Sequence, residues 1–121
     1  MAQYVDGFVL PLPKKNLAAY KKLATKASKL WLELGALEYC ESVGEDLAPK
    51  GCPMNFTKLA KPKAGETVVF AWIVYKSKKH RDQVNKRVMS DPRVAAMCNP
   101  ENTPFDFKRM AYSGFEVLVK R

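Results

Sequence analysis

Three side chains stand where their chemistry conflicts with their surroundings. Asp6 interrupts Tyr4-Val5-Asp6-Gly7-Phe8-Val9-Leu10, a run otherwise suited to an apolar strand. Burial would raise its carboxyl pKa and fit it for general base work, and Tyr4 shares its strand face. His80 is the single histidine and sits at the start of a helix-forming stretch, where an imidazole can serve as acid, base or axial haem ligand. Arg109 closes Pro104-Phe105-Asp106-Phe107-Lys108-Arg109, and a guanidinium there can clamp a carboxylate or phosphate through two parallel hydrogen bonds. Asp6, His80 and Arg109 are therefore the catalytic candidates. Tyr4, Trp72, Asn85 and Asp106 are the candidates for holding a ligand. Each has a structural alternative. Asp6 can bond backbone or an arginine such as Arg109, His80 can cap a helix, and Arg109 can pair internally with Asp106 or Asp6. Arg81, Asp82 and Asn85 can form no more than a polar helix face.

Other chemistries lack their residues. A zinc site needs three or four ligands at suitable spacing, and one histidine with Cys40, Cys52 and Cys98 does not supply it. There is no phosphate loop, dinucleotide fingerprint or Gly-x-Ser-x-Gly elbow. Neither a metal nor a cofactor is expected. Three scattered cysteines predict reduced thiols rather than a disulfide framework. No apolar run approaches the roughly 20 residues of a bilayer span, and residues 1–4 carry no basic-then-apolar leader. A cytoplasmic protein without a membrane partner is the expectation.

The 121 residues predict one domain, 1–121, able to bury a core without staples. Lys and Arg number 21 against 12 Asp and Glu, a formal charge of +9. This excess suits lysine-rich helix exteriors and equally permits an anionic partner.

The elements that would position these groups follow from periodicity. Residues 4–12 alternate as a strand that Pro11 and Pro13 end. Asn16 can cap a helix to residue 34, where Leu17, Tyr20, Ala24, Ala27, Trp31 and Leu34 form one apolar stripe and Gly35 suits a left-handed cap. A strand over 37–43 places Leu37, Tyr39 and Val43 on one side. Residues 44–63, with three prolines and no period, predict a long irregular connection. Glu66 to Tyr75 is the most continuous apolar strand, Ser77 caps a helix over 78–90, and a short turn over 93–97 precedes a loop at 99–107. Residues 109–119 complete the pattern, with Tyr112, Gly114 and Leu118 opposite Phe115, Val117 and Val119. The order βαββαβ is α+β and ferredoxin-like, with a four-stranded antiparallel sheet.

Two helices can cover one face of such a sheet, yet the strand over 66–75 is apolar on both. Val68, Phe70, Trp72 and Val74 lie on one face, and Val69, Ala71, Ile73 and Tyr75 on the other. An uncovered patch of this kind invites association. A homodimer packed sheet to sheet resolves it and would share a barrel-like core.

Tyr4-Val5-Asp6-Gly7-Phe8-Val9-Leu10-Pro11 with Pro13-Lys14-Lys15-Asn16, Val69-Phe70-Ala71-Trp72-Ile73-Val74-Tyr75, His80-Arg81-Asp82-x-Val84-Asn85, and Pro104-Phe105-Asp106-x-Lys108-Arg109-Met110 through Gly114-Phe115-Glu116 resemble the YbaA-like family. These are small bacterial proteins of unknown function assigned to the dimeric α+β barrel superfamily. The resemblance spans essentially the whole chain and implies the same dimeric fold. Wider relatives of that superfamily include cofactor-independent oxygenases, haem-degrading enzymes and isomerases that use the cleft between sheet and helices.

Three functions are compatible with the residues. The cleft can convert a small molecule, or bind one without turnover. Alternatively, the sheet can stack RNA bases on Phe70 and Trp72, with Lys21, Lys22, Lys29, Lys86 and Arg87 contacting phosphates. Nucleic acid is disfavoured on two grounds. The strand lacks the basic residue and glycine that open the RNA-binding signature, and a dimer would occupy the same sheet face.

Overall fold

The computed structural model describes residues 2–97 and 103–121. Strand β1 runs Tyr4–Pro13, and a 3-10 turn (Lys14–Asn16) leads into helix α1, Leu17–Glu33. Strand β2 is Glu38–Val43, a short helix α2 is Phe56–Ala60, and β3 is Glu66–Tyr75. Helices α3 (Lys78–Met89) and α4 (Pro92–Met97), a 3-10 turn at Phe107–Arg109 and strand β4 (Ala111–Glu116) complete the chain. The sheet is open and antiparallel throughout, in the order β2-β3-β1-β4. The ferredoxin-like arrangement expected from periodicity is the one found.

Local chemistry explains most boundaries. The Ser77 hydroxyl accepts from the His80 N–H at 3.1 Å and starts α3. Gly35, at φ 125°, reverses the chain after α1. Asn16 adjoins α1 but makes no capping bond. Its amide instead donates to the Pro104 carbonyl at 2.9 Å and fastens the last loop to the start of α1.

Three expectations about elements need correction. Strand β1 does not end at Pro11 but pairs with β3 through Pro13↔Glu66. The Lys14 N–H donates to Gly65 O on the β3 side. Strand alternation therefore turns the nitrogens of Pro11 and Pro13 the other way. There β4 has already stopped pairing, at Val9↔Ala111, so the missing N–H groups cost no ladder bond. The connection 44–63 is not wholly irregular, because Asn55 caps α2 by accepting from Lys58 N–H at 3.2 Å. Strand β4 is shorter than 109–119, and Leu118 and Val119 lie exposed beyond it. Cys98 and residues 99–102 of the loop at 99–107 fall outside the described residues.

Register decides which sheet face the helices cover. Asp6, Phe8, Leu10 and Leu12 align with Ile73, Ala71, Val69 and Thr67, and this side carries the core. Leu10, Leu12, Tyr20 and Val69 form one cluster. Leu30, Ile73, Tyr75, Val84, Val88 and Val94 form another. The opposite face aligns Val5, Gly7 and Val9 with Val74, Trp72 and Phe70. Helix α2 approaches it at one end, where Phe56 leans on Phe70 at 5.5 Å between ring centroids. Phe70 remains 40% and Phe115 58% exposed.

Candidate functional site

The space between α1 and the sheet is set by small residues. Ala24 and Ala27 of α1 and Ala71 of β3 bring only methyl groups to its lining, beside Leu10 and Trp31. The result is a cavity of about 150 Å³, apolar except at one edge, with Phe105 and Met110 of the last loop along its margin. Phe105 meets Tyr20 edge to face at 5.6 Å.

The polar edge is Glu41. On β2, residues Tyr39, Glu41 and Val43 share the helix-facing side, and Glu41 lies opposite Ala71. The Tyr20 hydroxyl donates to Glu41 Oε1 and the Tyr39 hydroxyl to Oε2, each at 2.7 Å. Burial, reinforced by the adjacent carboxylate, pushes both phenol pKa values well above the ordinary tyrosine range, so both remain donors. Among the described residues, no lysine, arginine or histidine forms an ion pair with Glu41. Beyond the Tyr20–Glu41–Tyr39 bridge a second hollow of about 490 Å³ opens outward past Lys21, Thr25, Ser28 and Ser42. Sequence reading passed over Glu41, although its place between Tyr39 and Val43 on an alternating strand marked it as a carboxylate facing the core.

The predicted catalytic trio is not brought together. Asp6 is 1% exposed and engaged at both oxygens. Oδ1 accepts from Arg81 Nη1 at 2.7 Å and Oδ2 from the Tyr112 hydroxyl at 3.0 Å. Arg81 Nη1 also donates to the Tyr112 oxygen at 2.8 Å, which closes a triangle. Burial raises the Asp6 carboxyl pKa, against the lowering effect of Tyr112, Arg81 and Asn85. Three candidates gather here: Asp6, Tyr4, whose ring lies 4.9 Å beneath the Arg81 guanidinium, and Asn85, which accepts from the Tyr75 hydroxyl at 3.3 Å. The arginine is Arg81 rather than Arg109, because β1 places Asp6 beside the first turn of α3. Both Asp6 oxygens are engaged, and Asp6 lines neither the cavity under α1 nor the outer hollow.

The remaining candidates lie elsewhere. His80 Nδ1 accepts from Lys76 N–H at 2.9 Å, and its other ring nitrogen bonds the Gly35 backbone. Burial, with Lys76 and Arg87 nearby, lowers its pKa and keeps it neutral. His80 lines neither the cavity under α1 nor the outer hollow. Trp72 is on the opposite sheet face, between Gly7 and Cys40, outside the cleft. Asp106 accepts from Lys108 N–H at 2.9 Å and caps the second 3-10 turn.

Arg109 pairs with neither Asp106 nor Asp6. Its Nη1 and Nη2 donate to the two oxygens of Glu66 at 2.8 and 2.9 Å, and Nη2 also reaches the Lys61 carbonyl at 3.2 Å. These bonds, led by that from Arg109, hold the Glu66 carboxyl at about 2, against an ordinary 4.5. The folded pKa lies below the unfolded one, so the unfolded chain takes up protons first as pH falls. The stabilisation is complete above about 4.5 and is lost as pH drops towards about 2. Wild type should therefore lose its advantage over Glu66→Gln across that window. Urea midpoints of both proteins at several pH values check this, and a constant difference would contradict it.

Among the described residues, no group of three or more His, Cys, Asp and Glu could hold a metal ion, and no helix is long and apolar enough to cross a membrane.

The profile of the family described as "Protein of unknown function (DUF1428)" matches residues 3–107. The chain belongs to the DUF1428 family. Within DUF1428, the chain is 44% identical over 117 residues to "Uncharacterized protein YbaA" of Escherichia coli K12, covering 97% of each. The Shigella flexneri protein of the same description matches equally. The resemblance carried by the strand and helix motifs is thus a family relationship. Two crystal structures share the DUF1428 chain's fold at low identity. One, described as a dimeric ferredoxin-like protein from an uncultured marine organism, gives a TM-score of 0.57 with 11% identity over the full length of both chains. The other, a nipsnap family protein with unknown function from Agrobacterium tumefaciens, gives 0.58 with 13% identity over 96% of this chain and 88% of its own.

Proposed function

We propose that the chain is a single-domain cytoplasmic homodimer that binds a small, mainly apolar molecule between α1 and the sheet. The observation that carries this reading is the 150 Å³ cavity framed by Ala24, Ala27 and Ala71. A partly open cavity of about 150 Å³ admits one six-membered ring. Among the described residues its lining is almost wholly apolar, which suits the body of such a ring.

Benzene or indole should shift amide resonances of α1, β2 and β3 saturably and raise the thermal midpoint of the wild type. Ala27→Phe, which fills the space from the helix side, should abolish both effects. Unchanged spectra at saturating probe would overturn the reading.

RNA binding has one observation in its favour, the aromatics Phe70 and Trp72 on the helix-free face, packed edge to face at 5.5 Å. That face is also the one proposed for the dimer, so the two readings exclude each other. RNA affinity that falls steeply with salt and is lost in a Trp72→Ala variant would favour the nucleic-acid reading.

A further inference from the structure

Among the described residues, Glu41 has no cationic partner. It sits at the edge of an apolar cavity, half-buried, with one tyrosine hydroxyl on each oxygen and no cation paired to it among the described residues. Elsewhere in the molecule partly buried carboxylates are matched, Asp6 by Arg81 and Glu66 by Arg109. A desolvated carboxylate is normally paired with positive charge. An ionised carboxylate has about four acceptor positions, and the two phenols occupy only two. The tyrosines also fix the carboxylate's orientation, so a further donor would meet it without rotamer loss.

Resting on the cavity reading above, we propose that Glu41, held by Tyr20 and Tyr39, is the recognition group for the cationic nitrogen of an amine whose apolar body occupies the cavity. The ligand class is a primary or secondary ammonium one or two carbons from a single ring or a branched aliphatic group. The amine is recognised at the bridge itself, where the cavity and the outer hollow meet, since Tyr20, Ala24, Tyr39 and Glu41 line both. The outer hollow, with Lys21, Thr25, Ser28 and Ser42, is the side from which the ligand enters. Lys21 lines that hollow without pairing to Glu41, and its positive charge would disfavour rather than replace the amine.

The test uses four ring probes of similar size, benzylamine, benzyl alcohol, toluene and benzoate, titrated into the full-length protein by NMR. Benzylamine should bind at least about tenfold more tightly than benzyl alcohol, the order expected of a charge-assisted bond over a neutral one, and benzoate should bind least. Glu41→Gln, with hydrogen bonds to both tyrosines still possible, should erase the preference for the amine and leave toluene unchanged. Lys21→Met should tighten benzylamine or leave it unaltered. If toluene and the alcohol bind but the amine has no advantage, or if the advantage survives Glu41→Gln, the amine site is wrong and the cavity reading stands. A loss of benzylamine binding in Lys21→Met would equally refute it. If no probe binds, both fail together. Should Glu41→Gln not fold, the order of the four probes on wild type alone decides.

Discussion

Replacing Phe115 with aspartate should convert a two-fold dimer into a monomer without unfolding the chain. Wild type is expected to sediment at twice the 13.7 kDa chain mass at micromolar concentration. The reason lies in the helix-free face. Its middle strands carry Val5, Gly7 and Val9 beside Phe70, Trp72 and Val74, and the Phe115 ring covers Gly7, where even a Cβ would come within 3.2 Å of it. Val117, beyond β4, lines the same groove, with Glu38 and Lys120 also along it. Single chains rarely present so continuous an apolar patch to water. A second copy of the same face is self-complementary under two-fold symmetry. Phe115 is 58% exposed within one chain, so aspartate there disturbs little of the monomer core. In the dimer the substitution occurs twice, and a central aromatic contributes roughly 2 kcal/mol or more each. Two such losses weaken Kd by about three decades. Sedimentation across a concentration series checks it, and a wild type that stays monomeric would refute the dimer.

Arg81→Met should be the most destabilising single change outside the apolar core. Asp6 is buried and Arg81 is 14% exposed in its side chain, so removal of the guanidinium strands a carboxylate among Tyr4, Phe8 and the first turn of α3. Breaking one partner of a buried pair costs roughly 3–5 kcal/mol. Tyr112 and Asn85 still donate to Asp6 and temper the loss. The pH dependence is diagnostic. Burial already raises the Asp6 carboxyl above its ordinary 3.8, and loss of Arg81 raises it further. A folded pKa above the unfolded one means that the native state holds its proton more tightly, so stability falls as pH rises through that interval. The deficit of Arg81→Met should therefore be largest at neutral pH and shrink on acidification, over a higher pH range than the loss at Glu66. Asp6→Leu combined with Arg81→Met should recover most of the stability, since an apolar pair of similar volume carries no desolvation cost. Urea unfolding of the single and double variants measures both effects. A deficit independent of pH would show that Arg81 acts through packing of its stem instead.

Local rules made much of the fold legible. Alternation in β1 and β3, the stripe on α1, the Ser77 cap and Gly35 each depend on residues within a few positions of one another. The pairing of polar groups was not legible to the same degree. Arg109 meets Glu66 across 43 residues, and Asp6 meets Arg81 across 75. Which arginine serves which carboxylate depends on where β1 and β3 place their ends, and several assignments satisfy the same composition. His80 looked reactive because it is unique, yet the neighbouring Lys76 N–H engages its Nδ1.

The amino-acid sequence by itself determined the order of the four strands and two long helices, the ferredoxin-like class, the family and the presence of one apolar sheet face too many. Strand and helix periods are read along the chain, and they require no knowledge of partners. Only the tertiary structure decided that Val69, Ala71, Ile73 and Tyr75 face the helices while Phe70 and Trp72 face outward. It alone brought Ala24, Ala27 and Ala71 opposite one another, and it alone set Glu41 between Tyr20 and Tyr39. Register and helix docking control these juxtapositions, and both arise from the summed packing of distant residues. A void and an unmatched charge are properties of that packing rather than of any segment.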